Sequence, residues 1–357
     1  MAGGPVGRED AVTAKKRINL ALQGGGAHGA FTWGVLDVLL RDPDIEIAGM
    51  SGTSAGALNG AAVKSGLLEG GPEGAIANLE ALWARMGAIG DMRLVNWMTN
   101  FGPGVANVAR ALEYSLQYSV AETMARLVSP YAYGPFYSNP LRPVVDAFDY
   151  DEVCADQGPR LFICATNVRS GKARVFTGDE ITTDAILASA CLPTMFQAVE
   201  IPDAETGEPE AYWDGGYTGN PALYPLYDKA LPEDIVIINI NPLERTEKPV
   251  TPQQIQSRIN EISFNAALLG ELRSISFVQR LIASGAIAEG EMKNVKLHMI
   301  SDDALMNDLS VATKSMPTPY ILSELKEAGK AAATVFLAAH KDDLGARGSV
   351  NLQEMFT

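Results

Sequence analysis

Short apolar runs alternate with stretches of helical period through the first two thirds of the chain. Residues 18–22 form an apolar run of the kind a strand carries when a parallel sheet buries both its faces. Gly24, Gly25 and Gly26 end it. From residue 27 to residue 40, Phe31, Val35, Leu36 and Leu39 follow helical spacing until Asp42-Pro43 stops the pattern. Residues 45–50 read as a second buried strand. After Ser51-Gly52-Thr53-Ser54-Ala55-Gly56, an alanine-rich helix runs to about residue 65. This β-α-β-α opening predicts an α/β fold with a mainly parallel central sheet between two helical layers.

Between residues 87 and 143 the strand signal fades and large apolar residues take over, among them Trp97, Phe101, Tyr114, Tyr118, Tyr131 and Tyr137. The reading is a helical, aromatic-rich insertion, either packed on the sheet or forming a cap over an apolar pocket. Strands return at 160–165 and 173–176, separated by Ser170-Gly171. A helix at 183–190, a strand at 198–201, a turn at 203–208 and the sequence Trp213-Asp214-Gly215-Gly216 follow, then a strong parallel-strand pattern at 234–240. Residues 252–283 carry a long amphipathic helix, 295–300 a strand and 321–340 a closing helix. The expected organisation is a loose polar leader (1–17), one α/β domain (18–240) containing the insertion (87–143), and a helical extension (241–357) packed on that domain.

Charge narrows the partners. With 28 Lys and Arg against 43 Asp and Glu, the net charge is −15, so nucleic acid and anionic lipid are repelled overall. Apolar contact is left as the route to a transient membrane encounter. Three cysteines without C-x-x-C spacing suggest neither a disulfide framework nor a zinc site, and no clustered ligands imply a metal or organic cofactor. The start of the chain has no apolar segment of signal-peptide type and no spanning run, so a cytoplasmic protein, peripheral to membranes at most, is expected.

Two glycine-bearing turns carry the candidate chemistry. Gly24-Gly25-Gly26-Ala27-His28-Gly29 formally fits G-x-G-x-x-G between a strand and a helix. A dinucleotide loop also needs an acidic residue at the end of the second strand. Asp42, Asp44 and Glu46 instead lie before or at its start, which weakens that reading. The second strand ends in Gly52-Thr53-Ser54-Ala55-Gly56, a G-x-S-x-G nucleophile elbow exposing the Ser54 hydroxyl. The glycine loop one β-α-β step upstream offers backbone N–H groups of Gly24, Gly25, Gly26 and Ala27 as an oxyanion hole. For the base, Ser54, Asp214 and His298 satisfy a Ser…Asp…His order, while Asp214 in its Asp-Gly-Gly turn is an alternative that needs no histidine. A non-catalytic lipid-binding protein is a further alternative, and a dinucleotide-dependent oxidoreductase the weakest.

Taken in order, Gly24-Gly25-Gly26-Ala27-His28-Gly29, Gly52-Thr53-Ser54-Ala55-Gly56 and Asp214-Gly215-Gly216 resemble the patatin-like phospholipases. The segment Ser189-Ala190-Cys191-Leu192-Pro193 also resembles the family's stretch upstream of its aspartate. The resemblance implies a three-layer α/β/α fold and hydrolysis of carboxylic esters of lipids through an acyl-serine intermediate. It further implies a Ser54–Asp214 dyad with no catalytic histidine. His28 departs from the pattern, because many members carry Arg or Lys there; a neutral imidazole stabilises an anionic oxygen less well.

Overall fold

The computed structural model describes residues 15–89, 129–203, 206–245, 248–288, 290–309, 313–314 and 317–356. Most of the leader and residues 90–128 of the expected insertion lie outside the described residues. Among those described, the strands are β1 (Lys16–Leu22), β2 (Ile45–Gly52), β3 (Arg160–Asn167), β4 (Ala173–Thr177), β5 (Val199–Pro202), β6 (Pro209–Asp214), β7 (Asp234–Ile238) and β8 (Lys296–Ile300). They form one mixed sheet in the order β5-β6-β3-β2-β1-β7-β8, with β4 paired to β3. The run β3-β2-β1-β7-β8 is parallel; β4 and β6 lie antiparallel to β3, and β5 antiparallel to β6.

Alternation along the strands generates two cores. Ile18, Leu20 and Leu22 of β1, with Val236 and Ile238 of β7, face one side, where they meet α1 (Gly29–Arg41), α2 (Ala55–Ile89), α3 (Thr183–Ser189) and α5 (Pro319–His340). Ala21, Ile235 and Ile237 face the other side and pack on Leu268, Leu272 and Ile275 of α4 (Pro252–Ala283). The result is helix, sheet, helix. The helix starts are chemically marked. Thr182, Thr251 and Thr318 each cap with a side-chain oxygen, and Thr251 forms a reciprocal capping box with Gln254 around Pro252 at the first turn.

Two elements differ from the sequence pattern. The helix expected to end near residue 65 continues to Ile89 after a break at Gly70 and Gly71, with Pro72 restarting it. Pro209–Asp214 is a strand that the pattern did not announce; it pairs antiparallel with β3 and β5. The region after residue 241 contributes β8 to the sheet edge, and α5 lies against α1.

One feature of the register positions the site. Phe162 and Ile163 of β3 pair with β4 as well as with β2, and Ala165 and Thr166 pair with β4 as well as with β6. A strand has two edges, so β2 and β6 must share one. Gly52, the last residue of β2, lies opposite Ile163, and Asp214, the last residue of β6, lies opposite Ala165. Asp214 is thereby delivered just beyond the point where β2 turns into the Ser54 elbow.

Candidate active site

Ser54 follows β2 by two residues and precedes α2 by one, with φ 54°, the only described non-glycine residue at positive φ. L-residues reach that region at a cost of about 1–3 kcal/mol, and they stay there when the surroundings over-determine the backbone. Those surroundings are close. The Thr53 N–H donates to the Leu22 carbonyl at 3.3 Å, and the Thr53 hydroxyl to the Gly219 carbonyl at 2.6 Å. A Cβ at Gly56 would stand 2.1 Å from the Leu22 carbonyl oxygen, so the first turn of α2 reaches the end of β1 only as glycine. Gly52 sits against Gly56 in the same turn.

Asp214 is 2% exposed. Burial pushes its carboxyl up to about 7, against the opposing effects of the Gly216 N–H at 2.8 Å and a hydrogen bond donated by the Ser54 hydroxyl. A carboxylate of that basicity is suited to taking a proton near neutral pH. Gly215 packs on the Cys164 carbonyl of β3 and Gly216 against Phe264 of α4, which seats the turn between the sheet and that helix.

The glycine loop lies directly against the elbow. A Cβ on Gly24 would fall 2.7 Å from both the Ser54 Cβ and the Thr53 carbonyl oxygen. The Gly24 N–H donates to Asn220 Oδ1 at 2.7 Å, so that residue, expected as an oxyanion donor, has its N–H already committed. The N–H groups of Gly25, Gly26 and Ala27 have no hydrogen-bond partner among the described residues. Gly29 brings the start of α1 onto Ala55, the first residue of α2.

A buried amide network fixes this loop. Gln23 Oε1 accepts the N–H groups of Ile240 and Asn241 at 2.8 and 3.0 Å and the Asn241 side-chain amide at 3.1 Å. Asn241 Nδ2 and Asn220 Nδ2 both donate to the Gly24 carbonyl. Sequence reasoning passed over Gln23, Asn220 and Asn241, and with them the Ser189 contact described below. Their signal was weak but present: each is a polar residue at or near the end of a strand or helix, next to a glycine or proline turn.

His28 is buried, with Nε2 at 2.7 Å from the Thr313 hydroxyl and Nδ1 without a hydrogen-bond partner among the described residues. Burial, then the charges of Lys314 and Arg245, hold its pKa well below the ordinary histidine value, so it is neutral. Positive charge stands behind it instead. Arg245 grips Glu261 at 2.6 and 3.1 Å, and Arg258 and Lys314 approach the same carboxylate at 3.4 and 3.6 Å.

His298 is not brought to Ser54. It pairs in register with Val236, which pairs with Leu20, which pairs with Met50, so three strand spacings, about 14 Å, separate it from the strand that leads to the elbow. Its ring contacts Asp234 and Ser349, each at 3.1 Å, and the third histidine, His340, contacts Asp343 at 2.9 Å. The Ser54–Asp214–His298 alternative is thereby removed. A cavity of about 710 Å³ between residues 150–156 and 179–184 includes neither Ser54 nor Asp214. Among the described residues no three His, Cys, Asp or Glu side chains are placed to hold a metal ion, and no helix is long and apolar enough to cross a membrane.

A serine at positive φ just past a strand end, a buried carboxyl brought to the same side of β3 and a loop of open N–H groups meet at one end of the sheet. The model of the patatin-like phospholipase family matches residues 20–227, more than half of the chain, and the chain belongs to that family. Among solved structures it is similar to VipD from Legionella pneumophila, at 14% identity over 92% of this chain and 68% of that one, with a TM-score of 0.41. It is also similar to chains of the ExoU–SpcU complex from the type III secretion system of Pseudomonas aeruginosa. One match has 15% identity over 91% of this chain and 54% of that one, TM-score 0.33; another has 18% identity over 92% and 61%, TM-score 0.30. The chain thus spans between about half and two thirds of the length of these structures. No curated relative matches it.

Proposed function

We propose that this protein is a serine lipid acyl hydrolase that cleaves carboxylic esters through a Ser54–Asp214 dyad. In this reading residues 18–240 form the catalytic domain and 241–357 are an extension packed on it. The observation that carries the reading is the placement of Asp214: a buried carboxyl at the end of β6, two register steps along β3 from the end of the strand that leads to Ser54.

The chemistry needs no group beyond those described. The Ser54 hydroxyl proton passes to the Asp214 carboxylate as the serine oxygen bonds to the ester carbonyl carbon, whose oxygen becomes negative and accepts the N–H groups of Gly25, Gly26 and Ala27. Collapse breaks the bond to the leaving alcohol, which takes the proton from Asp214 and departs, leaving acyl-Ser54. Water then gives a proton to Asp214 and attacks the acyl carbon; the second collapse releases the fatty acid and returns the proton to Ser54.

The test is covalent labelling by a long-chain fluorophosphonate, read by intact mass. One adduct on the unaltered protein, abolished by Ser54→Ala and reduced about 100-fold or more in rate by Asp214→Asn, is the expected result. An unaltered protein that folds yet takes no adduct, or an adduct that survives Ser54→Ala, overturns the reading.

A further inference from the structure

Both members of the dyad have their backbone N–H groups held by one tripeptide. Ser189, the last residue of α3, is fully buried; its Oγ accepts the Ser54 N–H at 2.9 Å and donates to the Cys164 carbonyl of β3 at 2.6 Å. Two residues later, the Cys191 carbonyl accepts the Asp214 N–H at 2.7 Å. The same β3 residue therefore anchors Ser189 through its carbonyl, and that carbonyl is the surface on which Gly215 packs.

The position of the Ser189 hydroxyl gives it leverage. Ser54 precedes α2, so its N–H has no place in that helix, and at φ 54° the direction of the N–H is tied to the strained torsion itself. The only partner the N–H has among the described residues is Ser189 Oγ. Removing that acceptor leaves a donor unsatisfied and frees the torsion to relax, which swings the Ser54 side chain away from Asp214.

We infer that Ser189 is a positioning residue of the catalytic pair, holding the nucleophile elbow at the torsion that aligns the Ser54 hydroxyl with the Asp214 carboxylate. This rests on the dyad reading above. It goes beyond it by assigning to a residue of a third element, which touches no substrate, the alignment of the first two.

Two readouts separate alignment from mere stability. Ser189→Ala, checked as folded by circular dichroism, is expected to lower kcat and the fluorophosphonate labelling rate about 10- to 100-fold while KM stays within about twofold. Loss of the Ser54 hydrogen bond also removes an effect that lowers the Asp214 pKa, so the acid limb of the rate profile moves upward in pH. Ser189→Thr keeps the hydroxyl and is expected to recover most of the rate and the original limb. Should Ser189→Ala not fold, Ser189→Cys, close in volume but a weak acceptor, is expected to show the same direction of change. A folded Ala or Cys variant with unaltered rate and limb, or one with a lower melting temperature alone, overturns the inference. If the unaltered protein takes no label, the dyad reading fails first and this inference falls with it; an unaltered protein that labels beside an equally reactive Ser189→Ala overturns the inference alone.

Discussion

Burial gives the Asp214 carboxyl two properties at once. With its pKa raised to about 7, it is a competent base near neutrality, so kcat/KM is expected to rise with pH through an acid limb centred near 7, measurable with a soluble ester between pH 5 and 9. The same shift weakens the fold. Between the unfolded value near 3.8 and the folded value near 7, the folded state binds the extra proton, so stability declines as pH climbs through this window and the loss is complete above it. Asp214→Asn mimics the neutral acid and escapes that loss. Its melting temperature is expected to exceed that of the unaltered protein at pH 8 and to converge with it at pH 4; a gap that widens at low pH contradicts the account.

At the scale of elements, the histidines separate a structural bond from a catalytic one. Asp234 begins β7, and its Oδ1 receives both the ring of His298 on β8 and the N–H of Gly345, tying the edge strand to the C-terminal loop. His298→Ala is expected to cost about 1–3 kcal/mol, a drop of several degrees in melting temperature, with fluorophosphonate labelling of Ser54 retained. Loss of labelling in a folded His298→Ala protein would restore the three-residue reading. The elements themselves were unevenly legible. The strands at 18–22, 45–50 and 234–240 and the helix at 252–283 announced themselves through unbroken apolar runs or a long helical period, because a buried parallel strand and an amphipathic helix each write their environment into local sequence. Pro209–Asp214 did not, since Pro209 and Glu210 open a short antiparallel strand whose identity depends on pairing with β3. The motif residues around Ser54, Gly24 and Asp214 were visible because turns make chemical demands at fixed spacing. Gln23, Asn220 and Asn241 were not, and of Ser189 only the segment was flagged and not its contact with Ser54, because each meets a partner between about 130 and 220 residues away, and no local pattern encodes such a meeting.

For the molecule as a whole, the charge of −15 acts on any encounter with a lipid surface. Turnover of a common ester substrate is expected to be faster in zwitterionic vesicles than in vesicles containing about a third anionic lipid, with the difference shrinking as salt is raised from about 20 to about 300 mM, which shortens the screening length from roughly 20 to roughly 6 Å. A preference for anionic vesicles that salt abolishes would mean that a local positive surface outweighs the net field. Finally, β2 and β6 lie end to end along one side of β3, so the separation of Ser54 from Asp214 is set by two steps of strand register. That register is set by β3, whatever the length of the connections on either side of it. In the dyad reading proposed above, substrate choice and catalytic competence are therefore separable traits: the intervening loops are free to lengthen and diversify, while a single strand keeps Ser54 and Asp214 in register.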